Sequence, residues 1–489
     1  MKKLLLLLWG SMLLHTALSA QHIRKCGMQR KHEAMIAKNP DYARFLANQK
    51  ASLQAAGDYY KQYKLHATTE RSTALSAVPV IFHIIVDSAQ FYNMGGASGI
   101  IRRCDSQIAV LNADFNKQNA DSALIPSGWK PLYGNVGIHF GLAHRDPSGN
   151  CSPGYEVRIL PGTSLTTVGY DIDSQPTPAE KMAATGLAAW DVDKYYNVWC
   201  INFTGASNGL LGITTTKSDV VAGWSNSWEM GVDILYNTLG STGFTGSAPG
   251  TGGWEAPFNL GRTLTHETGH FFEIWHTWGD DDGLCPWNSG GADDGLNDTP
   301  PESDAQYGAP VYTLSGGTLN DGCKMNGSTN TQPVGIACLS YMDYTDDNAM
   351  QLFTPDQANV MASMVLVPVG GSGTTAGEGT IGEHYNLTQN PGLLVVCTPS
   401  GVEASPTETR SGLRIFPNPT SGVINVAVNS QAEKLIDIVV LDLLGRQVTV
   451  AKGESKDQYS LDLGGMSKGI YIVKCNFASG SITRKILLQ

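Results

Sequence analysis

The sequence predicts a mixed α/β unit followed by a small all-β module. Three observations carry this reading. A strongly apolar, β-like run opens at Val78-Pro-Val-Ile-Phe-His-Ile-Ile-Val. A stretch of helical spacing, Thr263 to His276, gathers three histidines. From about Ser411 to the end, short β-rich runs recur with turn residues between them, the pattern of a small sandwich rather than of helices.

Length and composition bound the rest. A chain of 489 residues suggests about three domains. Hydrophobic residues at 42% are enough for ordinary cores, while 16% charged residues and 55 glycines describe a loop-rich protein. The net charge of -11 argues against a nucleic-acid binder and against a polybasic membrane binder.

The N-terminal element is Met1-Lys-Lys, a leucine run from Leu4 to Leu8, and small residues up to Ala20: a signal peptide over 1–20. Gly10, Ser11 and His15 interrupt the apolar run, and no later stretch is long and apolar enough to span a bilayer, so no stable membrane insertion is expected. Residues 21–72 form a polar Ala/Gln/Lys-rich leader of short helices with weak apolar faces, unable to build a core alone. A Thr/Ser-rich hinge follows, and cleavage of a propeptide is expected near Arg71-Ser72. The α/β unit then occupies 73–367, a Gly/Ser/Thr/Pro-rich linker 368–410, and the β-module 411–489. The module's runs are Leu413 to Phe416, Val423 to Val428, Ile436 to Leu441, Gln447 to Val450, Tyr459 to Leu463, Ile470 to Asn476 and Ile482 to Leu487, which suggest an Ig-like sandwich.

Export places the cysteines where disulfides persist. There are nine (26, 104, 151, 200, 285, 323, 338, 397 and 475), so eight can pair and at least one cannot pair within the chain. No CxxC occurs, which removes support for a ribbon-type zinc site.

The chemistry lies in Thr263-Leu-Thr-His-Glu-Thr-Gly-His-Phe-Phe-Glu-Ile-Trp-His276. His266 and His270 stand four apart, which on a helix puts both imidazoles on one face, within reach of one metal ion. Glu267 lies beside that ion without needing to ligate it, where it can take a proton from metal-bound water. His276, six residues beyond His270, suits a chain that bends back to offer a third imidazole. Three neutral ligands leave a fourth position open, the arrangement of a catalytic zinc site.

This stretch resembles the metzincin pattern HExxHxxGxxH, with Glu273 where Gly is usual. A bend with positive φ costs a Glu about 1 kcal/mol. The segment Leu339-Ser-Tyr-Met-Asp-Tyr-Thr resembles a Met-turn, with Met342 as its methionine and Tyr344 as a hydrogen-bond donor to the reaction's tetrahedral intermediate. Together with Gln107-Ile-Ala-Val-Leu-Asn-Ala-Asp-Phe, Gly141-Leu-Ala-His-Arg-Asp-Pro-Ser-Gly and His276-Thr-Trp-Gly-Asp, it is similar to the pappalysin (cytophagalysin-like) family over about residues 75 to 366. Ala349 stands where that family commonly has a Cys, so its disulfide pattern transfers only in part.

The resemblance implies a metzincin fold: a twisted, mostly parallel sheet, an active-site helix, and a subdomain after His276. It also maps a calcium site onto Asp294, Asp298 and Thr299 with the Asn297 carbonyl, in a Gly- and Asp-rich loop of the kind calcium favours. Asp343, Asp346 and Asp347 lie in a region that often lines the S1′ pocket and would favour Arg or Lys there, with Asn348 as a competing determinant. Cys26-Gly27 in the leader could cap the zinc as a cysteine switch, or pair in a disulfide. The tail, with Leu413-Arg-Ile-Phe-Pro-Asn-Pro-Thr-Ser-Gly, Gly469-Ile-Tyr-Ile-Val-Lys and Lys485-Ile-Leu-Leu-Gln, resembles the C-terminal sorting domain of type IX secretion substrates.

The implied protein is a secreted or surface-attached zinc endopeptidase made as a zymogen. Its zinc-bound water is activated by Glu267, and its partners are peptide substrates and the type IX machinery. The rival reading is a non-enzymatic, calcium-stabilised surface adhesin with a degenerate zinc site, for which Glu273 is the warning sign.

Overall fold

The computed structural model describes residues 24–66, 77–160, 169–172, 178–243, 253–280, 285, 293–310, 323, 335–368, 381–395, 413–428, 435–442, 447–453, 456–477 and 480–489. The expected signal peptide, the Arg71-Ser72 cleavage point and Cys397 lie outside these residues.

The first unit is built on one mixed sheet in the order β2-β1-β4-β6-β5, with β3 also paired to β1. Strand β1 (Ala77–Asp87) is central, and every residue from Val78 onward is buried. Covered on both faces, it reads as a continuous apolar run rather than an alternation. Strands β2 (His139–Leu142), β3 (Tyr155–Leu160) and β4 (Tyr196–Ile201) pair parallel with β1, and β6 (Gly231–Leu235) pairs parallel with β4. Strand β5 (Gly212–Thr215) closes the edge antiparallel to β6. The expected mostly parallel sheet is therefore present.

Helices pack on this sheet. In the leader, α1 (Met28–Lys38) and α2 (Asp41–His66) precede β1, and α3 (Ser88–Asn93), α4 (Gly96–Phe115) and α5 (Lys217–Val221) follow in order. The metal-motif helix α6 (Arg262–Phe271) lies against β5 and β6, and α7 (Pro355–Leu366) packs on α2. Helix α2 buries Tyr42, Phe45, Leu46, Gln49, Leu53, Ala56, Gly57 and Tyr60, a stripe of helical period. Its apolar members join β1, α4, α6 and α7 in one core. The leader does not need a core of its own, because it shares this one.

One expectation is corrected. Residues 381–395, inside the stretch expected as a linker, fold onto the first unit. Ile381 and Leu387 enter its core, the His144 N–H donates to the Leu393 carbonyl at 2.7 Å, and the turns at Tyr385–Thr388 and Pro391–Leu394 lie against β1. The Gly/Ser/Thr composition that suggested a linker belongs mostly to the neighbouring residues, while the buried side chains of Ile381, His384 and Leu387 anchor this piece. The sequence left the cysteine pairing open, and the structure settles part of it. Cys285 and Cys323 are bridged and Cys151 is disulfide-bonded, but Cys26, Cys104, Cys200, Cys338 and Cys475 remain buried thiols.

Among its described residues the C-terminal module has seven strands: β7 (Arg414–Phe416), β8 (Val423–Ala427), β9 (Leu435–Leu441), β10 (Gln447–Lys452), β11 (Gln458–Asp462), β12 (Gly469–Phe477) and β13 (Gly480–Leu488). They form two antiparallel sheets, β10-β9-β12-β13 and β11-β8-β7. Ile424, Val426, Ile438, Val440, Val473 and Ile486 close a core separate from the first. Among the described residues, no helix is long and apolar enough to cross a membrane.

Candidate metal centre

Every residue of α6 is buried, so the helix can present side chains only into the protein or into the cleft beside β5. Gly269 lets it sit directly on Met342: a Cβ there would lie 2.3 Å from the Met342 sulfur. The helix stops after Phe271, and Glu273 takes φ +70. The bend thus falls where the resemblance placed it, with a non-glycine residue accepting the left-handed conformation. The chain turns and returns His276 to the helix face.

The three Nε2 atoms converge, at 3.2 Å (His266 to His270), 3.0 Å (His270 to His276) and 3.3 Å (His266 to His276). A tetrahedral ion about 2.0–2.1 Å from each nitrogen would space them by about 3.3 Å. Each Nδ1 is held from behind: His266 by the Tyr341 carbonyl at 2.7 Å, His270 by the Ile274 carbonyl at 2.7 Å, and His276 by Asp280 Oδ1 at 2.5 Å. These acceptors take the Nδ1 protons and leave the Nε2 lone pairs facing inward. Burial and the mutual proximity of the rings hold the His266 and His270 imidazoles well below their ordinary range, so both stay neutral and able to ligate. The Trp278 ring stacks on His276 at 4.4 Å and fixes its plane.

Glu267 lies beside this cluster. Its Oε2 accepts from the Thr214 hydroxyl of β5 at 2.8 Å. Gly212 makes room for it, since a Cβ there would fall 2.5 Å from the Glu267 carboxylate. Burial pushes the Glu267 carboxyl up to about 7, against the Thr214 and Cys26 hydrogen bonds, which lower it. A carboxyl near neutrality can take and return a proton. Tyr344 is buried with its ring 4.9 Å from that of His276, and its hydroxyl donates to the Cys26 carbonyl at 3.3 Å.

The leader enters the cleft. Cys26 is a thiol, not a disulfide, and its sulfur and one nitrogen of each of the three histidines all lie within 4.8 Å of one another. Residues 25–27 run parallel to the edge of the sheet: the Leu211 N–H donates to the Lys25 carbonyl and the Gly27 N–H to the Gly212 carbonyl, both at 2.8 Å. Arg24 reaches a closed pocket, where its guanidinium pairs with Asp347, donates to the Thr345 carbonyl at 3.0 Å and lies over the Phe258 ring at 4.8 Å. Asp343 instead accepts from the Gln306 N–H at 2.9 Å, and Asp346 is not in that pocket's hydrogen bonds.

The residues mapped to calcium lie apart from this cleft. Asp294 is buried, and its Oδ2, Asp298 Oδ1 and Thr299 Oγ1 have no hydrogen-bond partner. Asn297 is exposed and held through its N–H by Gln54 at 2.9 Å. Burial pushes the Asp298 carboxyl up to about 6 and Asp294 well above its usual range. Orphaned oxygens of this kind fit a hard cation.

Five participants were missed from sequence: Asp280, Thr214, Arg24, and Arg262 with Asp114, a buried pair that at 3.1 Å pins the start of α6. Only Asp280 had a local signal, four residues after His276 in a run read as an acidic loop.

A helix presenting two imidazoles one turn apart, a third returned by a bend, and a carboxylate beside them define a three-histidine metallopeptidase-type centre. Residues 181–366 match the peptidase family described as pregnancy-associated plasma protein-A, and residues 414–489 match the secretion system C-terminal sorting domain. An extracellular metalloprotease of Verticillium alfalfae is 36% identical over 345 residues, which are 70% of this chain and 89% of that one. An extracellular metalloprotease of Colletotrichum graminicola is 36% identical over 167 residues, 34% of this chain and 48% of that one, so the chain spans about half the length of that relative. Among solved structures, a promirolysin mutant of Tannerella forsythia is similar with a TM-score of 0.51 at 29% identity, covering 70% of this chain and 93% of that one. The chain belongs to this pappalysin family of metalloproteases and carries a type IX sorting tail, so it is secreted or attached to the cell surface.

Proposed function

We propose that the protein is a zinc endopeptidase made in a latent form. The observation that carries this is the convergence of His266, His270 and His276 Nε2 beside the Glu267 carboxylate. Zinc bound by these imidazoles supplies a Lewis acid that lowers the pKa of water and polarises a carbonyl. Glu267, held by Thr214, takes the proton of the attacking water and passes it to the leaving amine. The Tyr344 hydroxyl, which here donates to a peptide carbonyl of the leader, donates in turn to the oxyanion of the substrate. Met342 plays the part of the Met-turn methionine, packed under α6. The adhesin reading loses its motive, because Glu273 takes the bend and leaves the ligand set converged.

In the latent form, residues 24–27 are a prosegment that fills the cleft. Cys26 would hold zinc together with the three histidines, and Arg24 occupies the pocket beside Asp347 that a basic substrate side chain would enter after maturation. Asp294, Asp298, Thr299 and the Asn297 carbonyl hold calcium, which braces the loop; removing calcium alone should lower the Tm while leaving zinc in place. The two-sheet tail, an Ig-like sandwich, serves export.

Casein cleavage tests the reading. Activity should vanish with a zinc chelator and return with zinc. Glu267→Ala should keep zinc and fold but lose at least about 10²–10⁴-fold in rate. A zinc-loaded Glu267→Ala protein with normal activity would sink the mechanism.

A further inference from the structure

The bend after α6 carries a second cluster that shares no residue with the first. Glu273 is 2% exposed, yet its carboxylate turns inward. One carboxylate oxygen of Glu273, one of Glu383 and one ring nitrogen of His384 lie within 4.8 Å of one another. Ser218 joins the two glutamates: its N–H donates to Glu273 Oε1 at 3.1 Å and its hydroxyl to Glu383 Oε1 at 3.3 Å. Gln49 of α2 donates to the other Glu273 oxygen. His384 is also 2% exposed, and its Nε2 has no hydrogen-bond partner.

Packing does not account for this group. The buried Glu273 carboxylate and the half-buried Glu383 carboxylate repel each other, and among the described residues no ion pair reaches Glu273. Burial first, and then Glu383, hold the Glu273 carboxyl well above the usual range. Glu273 also bears the cost of φ +70, which a glycine would not. A buried imidazole nitrogen without a partner adds a third unfavourable feature at the same point. A divalent cation removes the first and third at once, since two carboxylates balance its charge and it accepts the lone pair of the imidazole nitrogen, and that gain offsets the backbone cost at Glu273.

We propose that Glu273, Glu383 and His384 hold a second divalent ion, of the zinc or manganese class. The mixed oxygen and nitrogen donor set favours such an ion over calcium or magnesium, which take oxygen ligands. The ion would tie the 381–395 segment to the turn that returns His276, and so brace the first centre from behind. That role is structural: Glu273 stands three residues from both His270 and His276 and need not touch substrate.

Metal content tests this on the full chain, loaded with zinc or with manganese, dialysed, and measured by inductively coupled plasma mass spectrometry. Glu273→Gly is the key variant, because glycine suits φ +70 and should fold at least as well as the parent. Glu273→Gly and His384→Ala should each hold one ion fewer per chain than the parent, with unchanged far-UV circular dichroism. The difference is read whether or not the first centre is catalytic, so it fails separately from the peptidase assignment. Equal ion counts in the parent and in folded Glu273→Gly would overturn the second site.

Discussion

Helix α2 places Tyr42, Leu53, Ala56 and Tyr60 in the same apolar core as β1 and α7, whereas the C-terminal module closes its own core around Ile424, Val426, Val440 and Val473. Both segments lie outside the metal motif, and both were expected to be separable from it. The difference follows from layers. A single amphipathic stripe has no second face to pack on and must use a neighbour's core. Two facing sheets supply each other's. A leader of the first kind joins a neighbour's core; a tail of the second kind closes its own.

The largest effect that tests this contrast belongs to the leader's tip. Arg24→Ala removes one half of a fully buried pair with Asp347, a loss of about 3–5 kcal/mol. That is at least about a hundredfold in docking of the tip. Peptidase activity of the uncleaved chain should rise, and Cys26→Ala should raise it too, since it deletes the thiol beside the three histidines. Full latency in both variants would show that the tip is not the cap.

Next comes the shared core. Leu53 is fully buried between α2 and the first unit. Leu53→Ala should lower the stability of the full chain by about 3 kcal/mol, read by denaturant unfolding. The same protein, once matured by removal of the leader, should hydrolyse peptide at the parent's rate. A loss of kcat in matured enzyme would mean that α2 shapes the centre during folding and not merely covers it.

A pH effect of about the same size or smaller comes from His32 of α1. Its ring lies 4.9 Å from Trp275, and its Nδ1 lies 3.9 Å from Asp280. Burial pulls the His32 imidazole down to about 4; Asp280 and Asp219 favour its charge, while Lys31 and His276 oppose it. The released leader therefore binds a proton more readily than the docked one. Docking is at full strength above about 6.5, the ring's ordinary value, and is lost as pH falls from there toward about 4. The loss is at most about 3 kcal/mol. Maturation rates should climb over that window, and His32→Gln should flatten the climb. An unchanged profile in His32→Gln would remove His32 from the account.

What could be read from sequence was what is encoded locally. Intervals of four and six residues on one helix and its bend place His266, His270 and His276 without knowledge of the rest of the chain. The strands of the tail were legible for the same reason, since each is an alternating run between turn residues. Contacts across the chain were not. Thr214 meets Glu267 from 53 residues away, and Arg24 meets Asp347 from 323 residues away. Asp280 was visible as an acid but was grouped with its neighbours, because its φ of +60, which turns it onto His276, has no sequence signature. The 368–410 stretch was misread because its composition averages over Ile381, His384 and Leu387, which anchor one part of it in the core.

The smallest expected effect is none at all, and it concerns the tail. The three converging histidines, Glu267, Met342 and Tyr344 all precede residue 367, and the segment 381–395 that packs on their unit ends before residue 400. The tail contains no histidine, so it has no imidazole to offer the centre. Its apolar core shares no residue with the first. A chain ending near residue 400, matured in the same way, should therefore cleave a peptide at the full-length rate and melt at an unchanged temperature for the first unit, yet fail to leave the cell of its native host. The end point matters: a chain ending at 367 would lose Ile381, His384 and Leu387 from the core and should melt lower. Equal stability of the 367 and 400 forms would restore the linker reading of 381–395, and loss of hydrolysis in the 400 form would make the tail part of the catalytic unit.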